Sequence, residues 1–198
     1  MTVKHYQRKK KWKVEAFNKH RPLAEYLIPL IGDKKEVSIL DVGAGPILTT
    51  GDELEGVKVN ITACDNLALE YKEIYGDLLF DVEYQDMENL TYADNSFDIV
   101  HCVNALDHTK SPRSAIAELL RVSKGIVYLR HSPNEGETQK YSGIHRWNIE
   151  MDGDDCRFWS RKSEFQLSEF GDWKSEERME DFTTHYNKNI QIISTYGI

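Results

Sequence analysis

Three observations predict an α/β fold with a doubly wound, mostly parallel sheet and a C-terminal β-hairpin elaboration. Strand-like and helix-like runs alternate from residue 37 to 130. The segments joining successive strands are long enough for right-handed crossovers between parallel neighbours. Four strand-like runs end on a polar residue, namely Asp41, Asp65, Asp86 and Asn104. In such a sheet the carboxyl ends of the strands border the ligand crevice where strand order reverses.

The first strand, Val37 to Val42, is rich in β-favouring apolar residues and breaks into a turn at Gly43 and Gly45, where glycine permits close approach of a ligand to the backbone. Before it, Leu23, Tyr26, Leu27, Leu30 and Ile31 have helical spacing behind Pro22, which predicts a helix over 22–31. A short helix is expected between Gly51 and Gly56. Val59 to Asp65 reads as the second strand, Leu67 to Tyr75 as a helix, Leu79 to Gln85 as the third strand and Phe97 to Val103 as the fourth. Ser114 to Val122 carries an apolar helical face, and Gly125 to Leu129 is the fifth strand. Beyond it, residues 147–159 alternate around Asp152 and Gly153, a hairpin signal. The cluster Asp152, Asp154 and Asp155 lacks the spacing of a calcium loop and reads as a turn. Residues 165–181 fit no single template, and Ile190 to Tyr196 reads as a closing strand.

At 198 residues the chain suits a single domain: an N-terminal arm and helix over 1–34, a ligand-binding core over 35–130, and a substrate-side segment over 131–198. The net charge of −8 disfavours general nucleic-acid binding, because a phosphate backbone would be repelled by most of the surface. The basic stretch Lys4 to Lys13 is the local exception; it reads as a solvated leader or as an arm for an anionic surface. No apolar run is long enough for a membrane span, and no Cys-x-x-Cys or Cys/His ligand spacing occurs. A cytoplasmic protein with buried thiols at Cys64, Cys102 and Cys156 and no metal is therefore expected.

The acids at the strand ends suggest a nucleoside. A carboxylate such as Asp65, at the end of the second strand, can accept from both hydroxyls of a ribose. Asp86 can accept from the exocyclic amine of adenine while the amide of Met87 donates to a ring nitrogen.

Residues 39–45, 63–65, 85–87 and above all 92–108, with the pattern Asp94-x-Ser96-Phe97-Asp98, resemble the class I S-adenosylmethionine-dependent methyltransferases of the type 11, small-molecule-like group. The resemblance covers about residues 35 to 130 and implies a Rossmann-like methyltransferase fold and S-adenosylmethionine as cofactor. It further implies that Asp41, Gly43, Ala44 and Gly45 line the methionine end, Asp65 and Asn66 meet the ribose, Asp86 and Met87 meet the adenine, and Asn104 lies beneath the sulfonium. Two departures stand out: Pro46 follows Gly45, with the next glycine delayed to Gly51, and a hairpin occupies the C-terminal third.

Methyl transfer asks chiefly for alignment and exclusion of water, with a base only if the nucleophile must lose a proton. His108, just past the fourth strand, is the candidate catalytic base, with His131 and His145 as further residues able to reach the same side. Tyr141, Trp147, Phe158 and Trp159 either wall an acceptor pocket or pack in the core. Asn104-Ala-Leu-Asp107 stands where an Asn/Asp-Pro-Pro-aromatic sequence would signal transfer to base amines or glutamine. A small-molecule acceptor, such as a sugar or metabolite hydroxyl, is the expected partner. Two alternatives stand beside this reading: a cofactor-binding subunit without turnover, and a nicotinamide-dependent oxidoreductase. The latter is opposed by Leu48, where the dinucleotide fingerprint wants its third glycine.

Overall fold

The computed structural model describes residues 20–76, 81–141, 144–179 and 190–198. The basic stretch 4–13 therefore lies outside the described residues. At the centre of the main sheet is β1 (Glu36–Val42), paired in parallel with β3 (Val57–Asp65) on one side and β5 (Phe97–Val103) on the other. Val37, Ile39, Leu40 and Val42 are all buried, as a strand covered on both faces requires. Outward from β5 lie β6 (Ser123–His131), parallel to it, then β11 (Ile190–Tyr196) and β10 (Trp173–Met179), both joined antiparallel.

Beyond β1 the outer edge of β3 is shared. Its carboxyl half pairs in parallel with β4 (Val82–Tyr84), and its amino half pairs antiparallel with β2 (Glu53–Leu54). The chain thus builds from β1 toward one edge through β3 and β4, then returns to build toward the other through β5 and β6. That reversal opens a crevice between the carboxyl ends of β1 and β5.

Both faces of the sheet are covered, and the strand period of two divides the core. Leu40, Val42, Val100, Cys102, Val127 and Leu129 pack with α3 (Pro112–Val122), whose Ile116 and Leu119 are fully buried. On the opposite face Val37, Ile39, Ile99, Tyr128 and Ile193 pack against Leu23, Leu27, Leu30 and Ile31. Helix α3 begins cleanly because Ser111 accepts from the Ser114 amide at 3.2 Å and Pro112 occupies the first turn. It starts two residues earlier than Ser114. The helix α2 (Ala68–Tyr75) and strand β5 fall where expected, whereas β6 extends the expected fifth strand by two residues at each end.

Two local expectations need correction. Residues 51–56 are not a short helix: Glu53 and Leu54 form β2, and Gly56 at φ +74° turns the chain into β3. Edge pairing prevails over a helix too short to nucleate, since the Leu23 amide donates to Glu53 O and the Glu53 amide to Arg21 O. Gly51 is required there, because a Cβ would stand 1.9 Å from the Arg21 carbonyl oxygen. The same pairing shortens the helix expected over 22–31. Pro22 bridges Glu53, so the helical part shrinks to a 3-10 turn Glu25–Leu27 and α1 (Ile28–Ile31). Strand β4 is three residues long; Leu79 and Phe80 lie outside the described residues.

The C-terminal hairpin is present and gains a third strand: β7 (Asn148–Asp152), β8 (Asp155–Trp159) and β9 (Glu164–Gln166) form a separate antiparallel sheet. Gly153 at φ +63° makes its first turn, and Asp155 is spent on the amides of Cys156 and Ser168, so the acidic cluster is turn chemistry. This sheet packs on the α3 side. Trp147 and Phe158 are buried there with Phe165 and Leu167. The ambiguous stretch from 165 resolves into the end of β9, a 3-10 turn Leu167–Phe170, and β10.

Candidate active site

A cavity of about 390 Å³ opens at the carboxyl ends of β1, β3 and β5. Gly43, Ala44, Gly45, Asp65, Asn66, Asp86, Met87, Asn104 and His108 all line it, together with Arg146 from the chain that leads into β7. The glycine loop is folded back on β3, with the amides of Gly43 and Ala44 donating to the Cys64 carbonyl at 2.9 and 3.1 Å. Gly43 adopts φ +70° and lies so close to the turn after β5 that an added Cβ would meet Ala105 Cβ at 2.5 Å.

Asp65 ties this loop to α2. Its Oδ2 accepts from the Gly45 amide at 3.0 Å and its Oδ1 from the Leu67 amide at 2.8 Å. Burial pushes the carboxyl above its usual range, and the two amides and a bond from Tyr71 pull against that shift. These three bonds use three of the carboxylate's roughly four acceptor sites, which leaves one for a ligand. Asp86 is exposed at the rim, one oxygen accepting from the Glu88 amide at 3.0 Å. Arg121 braces that rim from α3, donating to the carbonyls of Leu90 and Tyr92 and pairing with Asp94 and Glu118. At the end of β5, Asn104 takes φ +49°, and its Oδ1 accepts from the Ser132 amide at 2.9 Å, locking β5 to the end of β6.

Asp41 alone among the expected cofactor residues is absent from the cavity wall. It faces the register partner His101 across the β1–β5 pair, where its Oδ1 stands 3.2 Å from His101 Nδ1. His101 Nε2 in turn meets the Tyr26 hydroxyl at 2.9 Å, and Thr49 Oγ1 donates to Asp41 Oδ2 at 3.4 Å. This buried polar chain runs behind the glycine loop. Trp147, Phe158, Trp159 and Tyr141 also stay outside the cavity wall; Tyr141 accepts from Asn148 Nδ2 at 2.7 Å and lies under the Arg161 guanidinium.

Where His108 lines the cavity, histidines and acids gather in a way their sequence spacing does not reveal. His145 Nδ1 stands 2.6 Å from Asp107 Oδ2, and His108 Nε2 stands 3.4 Å from the same oxygen. The His108 and His145 rings meet edge to face at 4.9 Å. Glu135 Oε2 approaches His145 Nδ1 at 3.7 Å. Burial pushes the His108 imidazole down to about 4 against the pull of Asp107, and burial does the same to His131. At His145 burial also acts downward, but the bond and charge of Asp107, with Glu135 behind them, outweigh it and raise the pKa. Burial and the Asp107 charge push Glu135 up to about 7. His131 is buried, neither ring nitrogen is hydrogen-bonded among the described residues, and its ring meets Phe158 edge to face.

Comparison with known proteins agrees with this geometry. Residues 40–129 match the family described as a methyltransferase domain. The curated "Probable methyltransferase ltbC" of Aspergillus luteorubrus is 35% identical over 127 residues, covering 54% of this chain and 43% of that protein. The chain thus spans less than half the length of that relative. Among solved structures, an S-adenosylmethionine-dependent methyltransferase of Thermotoga maritima superposes with a TM-score of 0.52 at 16% identity, covering 99% of this chain and 96% of that one. One of Methanosarcina mazei gives a TM-score of 0.50 at 15% identity, covering 90% and 99%. These structures share the fold. Over residues 40–129 the chain is thus similar to a methyltransferase domain, and the solved structures that share its fold are S-adenosylmethionine-dependent methyltransferases.

Proposed function

We propose that this protein transfers the methyl group of S-adenosylmethionine to a small-molecule acceptor, with a sugar or metabolite hydroxyl as the favoured nucleophile. The observation that carries the reading is the single cavity wall shared by the glycine loop, Asp65, Asp86 and Asn104 on one side and His108 and Arg146 on the other. In this reading Gly43, Ala44 and Gly45 let the cofactor approach the backbone, Asp65 with Asn66 holds the ribose, Asp86 and Met87 hold the adenine, and Asn104 borders the methionine moiety. Asp41 acts from behind the loop, through His101 and Thr49, and holds its shape.

Bound there, S-adenosylmethionine supplies an electrophilic methyl carbon on a sulfonium, so that the acceptor oxygen gains a C–O bond as the C–S bond breaks and S-adenosylhomocysteine leaves. The chain has to place the acceptor, exclude water and accept its proton. His108 is the proposed base: it lines the cavity, its Nε2 makes no hydrogen bond among the described residues, and burial keeps it neutral near pH 7. Asp107, at 3.4 Å, stabilises the imidazolium that forms. The net charge of −8 favours a small acceptor over nucleic acid. A cytoplasmic setting fits the three free, buried cysteines. No helix among the described residues is long and apolar enough to cross a membrane.

The test is release of S-adenosylhomocysteine over a panel of hydroxyl-bearing metabolites, with calorimetric binding of the cofactor product as its companion. Binding without turnover on any acceptor supports a non-catalytic subunit. Stabilisation by NADH and not by S-adenosylhomocysteine overturns the reading altogether.

A further inference from the structure

We infer that Asp107, His108 and His145 form a binding site for one divalent transition-metal ion of the zinc class at the acceptor side of the crevice. Their three candidate ligand atoms all lie within 4.8 Å of one another. Around a single ion bound at about 2.0–2.2 Å, ligand atoms stand about 3–3.5 Å apart. The His108–Asp107 separation of 3.4 Å already fits, and the His145–Asp107 contact of 2.6 Å needs only a small side-chain rotation to admit the ion.

The backbone holds this set in place. Asp107 and His108 lie in the 3-10 turn Leu106–His108 directly after β5, and the Asp107 carbonyl accepts from the amides of both Arg146 and Trp147, at 2.8 and 3.2 Å. The residue that supplies the carboxylate therefore also anchors the strand leader that carries His145.

Asp107 and Glu135 are both buried, and the ion pairs they make among the described residues are with the imidazoles of His108 and His145 and with no lysine or arginine, so a metal ion would take the place of a proton there. Two imidazoles and one carboxylate form the ligand set that selects zinc, cobalt(II) or iron(II) over magnesium or calcium, which prefer oxygen alone. A protein-supplied set of three leaves coordination positions open. Because His108 lines the cavity, an open position there adjoins the proposed acceptor.

Resting on the methyl-transfer reading, the site also narrows the acceptor to one whose hydroxyl can ligate the ion. With the ion bound, His108 would be a ligand, and the metal would supply the acidity that lets a coordinated hydroxyl release its proton to solvent; without it, His108 keeps the role of base.

The experiment uses the full chain, stripped with chelator and titrated with cobalt(II) chloride in the absence of cofactor. Expected are the visible d–d bands of a low-symmetry four- or five-coordinate ion, saturating at one equivalent and displaced by zinc(II). His108→Ala and His145→Gln should each weaken binding by at least about tenfold. Asp154→Asn, on the exposed hairpin turn, should leave it unchanged. His145→Gln can keep a hydrogen bond to Asp107, and its circular dichroism shows whether the fold survives. No stoichiometric binding, or equal affinity in wild type and a folded His145→Gln variant, overturns the inference. S-adenosylhomocysteine binding measured on the same samples separates the two claims: cofactor binding without cobalt leaves only the methyl-transfer reading, and cobalt without cofactor binding leaves only the metal site.

Discussion

Gly43→Ala tests whether the glycine loop is shaped for close approach. At φ +70° the alanine pays left-handed strain of about 1–2 kcal/mol. Its Cβ would also stand 2.5 Å from Ala105 Cβ and 3.0 Å from Met87 Cε. The methionine tip can swing away, but Ala105 Cβ is fixed to the turn after β5, so relief requires that turn to move. Overpacking of this kind costs about 1–3 kcal/mol. Loss of unfolded-state freedom in replacing glycine returns about 0.4–1 kcal/mol, which leaves a net destabilisation of about 1–5 kcal/mol. Gly45→Ala is the matched control: φ is +66°, yet nothing lies within 4 Å of the added Cβ, so only strain remains and the net cost is about 1.5 kcal/mol or less. Because the displaced turn carries Asn104 and leads to His108, Gly43→Ala should also weaken S-adenosylhomocysteine binding more than Gly45→Ala does. Urea denaturation and calorimetry on both variants read these differences. Stabilities within 1 kcal/mol of each other, with equal cofactor affinity, refute the close-approach argument.

Asp65→Ala should weaken cofactor binding by about 2–4 kcal/mol, and because the same carboxylate holds the amides of Gly45 and Leu67, the protein should lose stability in urea as well. Unchanged affinity would exclude the ribose role. Arg121→Ala should cost about 1–3 kcal/mol and Arg121→Lys should recover little of it, since one ammonium cannot replace a planar fork that reaches Leu90 O, Tyr92 O, Asp94 and Glu118; denaturation of the pair decides. For His131, burial holds the folded-state pKa at about 4, below the roughly 6.5 of the unfolded chain, so the neutral form is the one the fold keeps. Its contribution is fully present above pH 6.5, falls as the unfolded chain takes up a proton between about pH 6.5 and 4, and amounts to a loss of about 3 kcal/mol below that. His131→Leu should remove this share of the acid-induced drop, which stability measured at pH 7 and pH 4 will show.

The parts of the fold legible in the sequence are those whose physics is local. Parallel strands buried on both faces must be nearly continuous apolar runs, so β1 and β5 announce themselves, and the polar residues that stop them mark the crevice. The 51–56 segment is not legible as a strand because its partners, the edge of β3 and the backbone of Arg21, are supplied by other parts of the chain. Asp41 illustrates a subtler limit. Its position at a strand end is readable, but the side of the strand it presents is decided by the register that sets it opposite His101, and this turns it into the protein while Asp65 lines the cavity.

The grouping of Asp107, His108 and His145 is the least legible for the same reason. Asp107 and His108 are adjacent, yet His145 joins them across 37 residues only because the Asp107 carbonyl captures the amides that follow it. No spacing rule encodes that capture. It arises where the chain leaves α4 (Glu135–Thr138) and enters β7, whose sheet is fixed in turn by burying Trp147, Ile149 and Phe158. The chain that leads into β7 therefore supplies both Arg146, which lines the cavity, and His145, which meets Asp107. Acceptor choice should accordingly follow changes in residues 131–166, while cofactor affinity should follow changes in the glycine loop and Asp65.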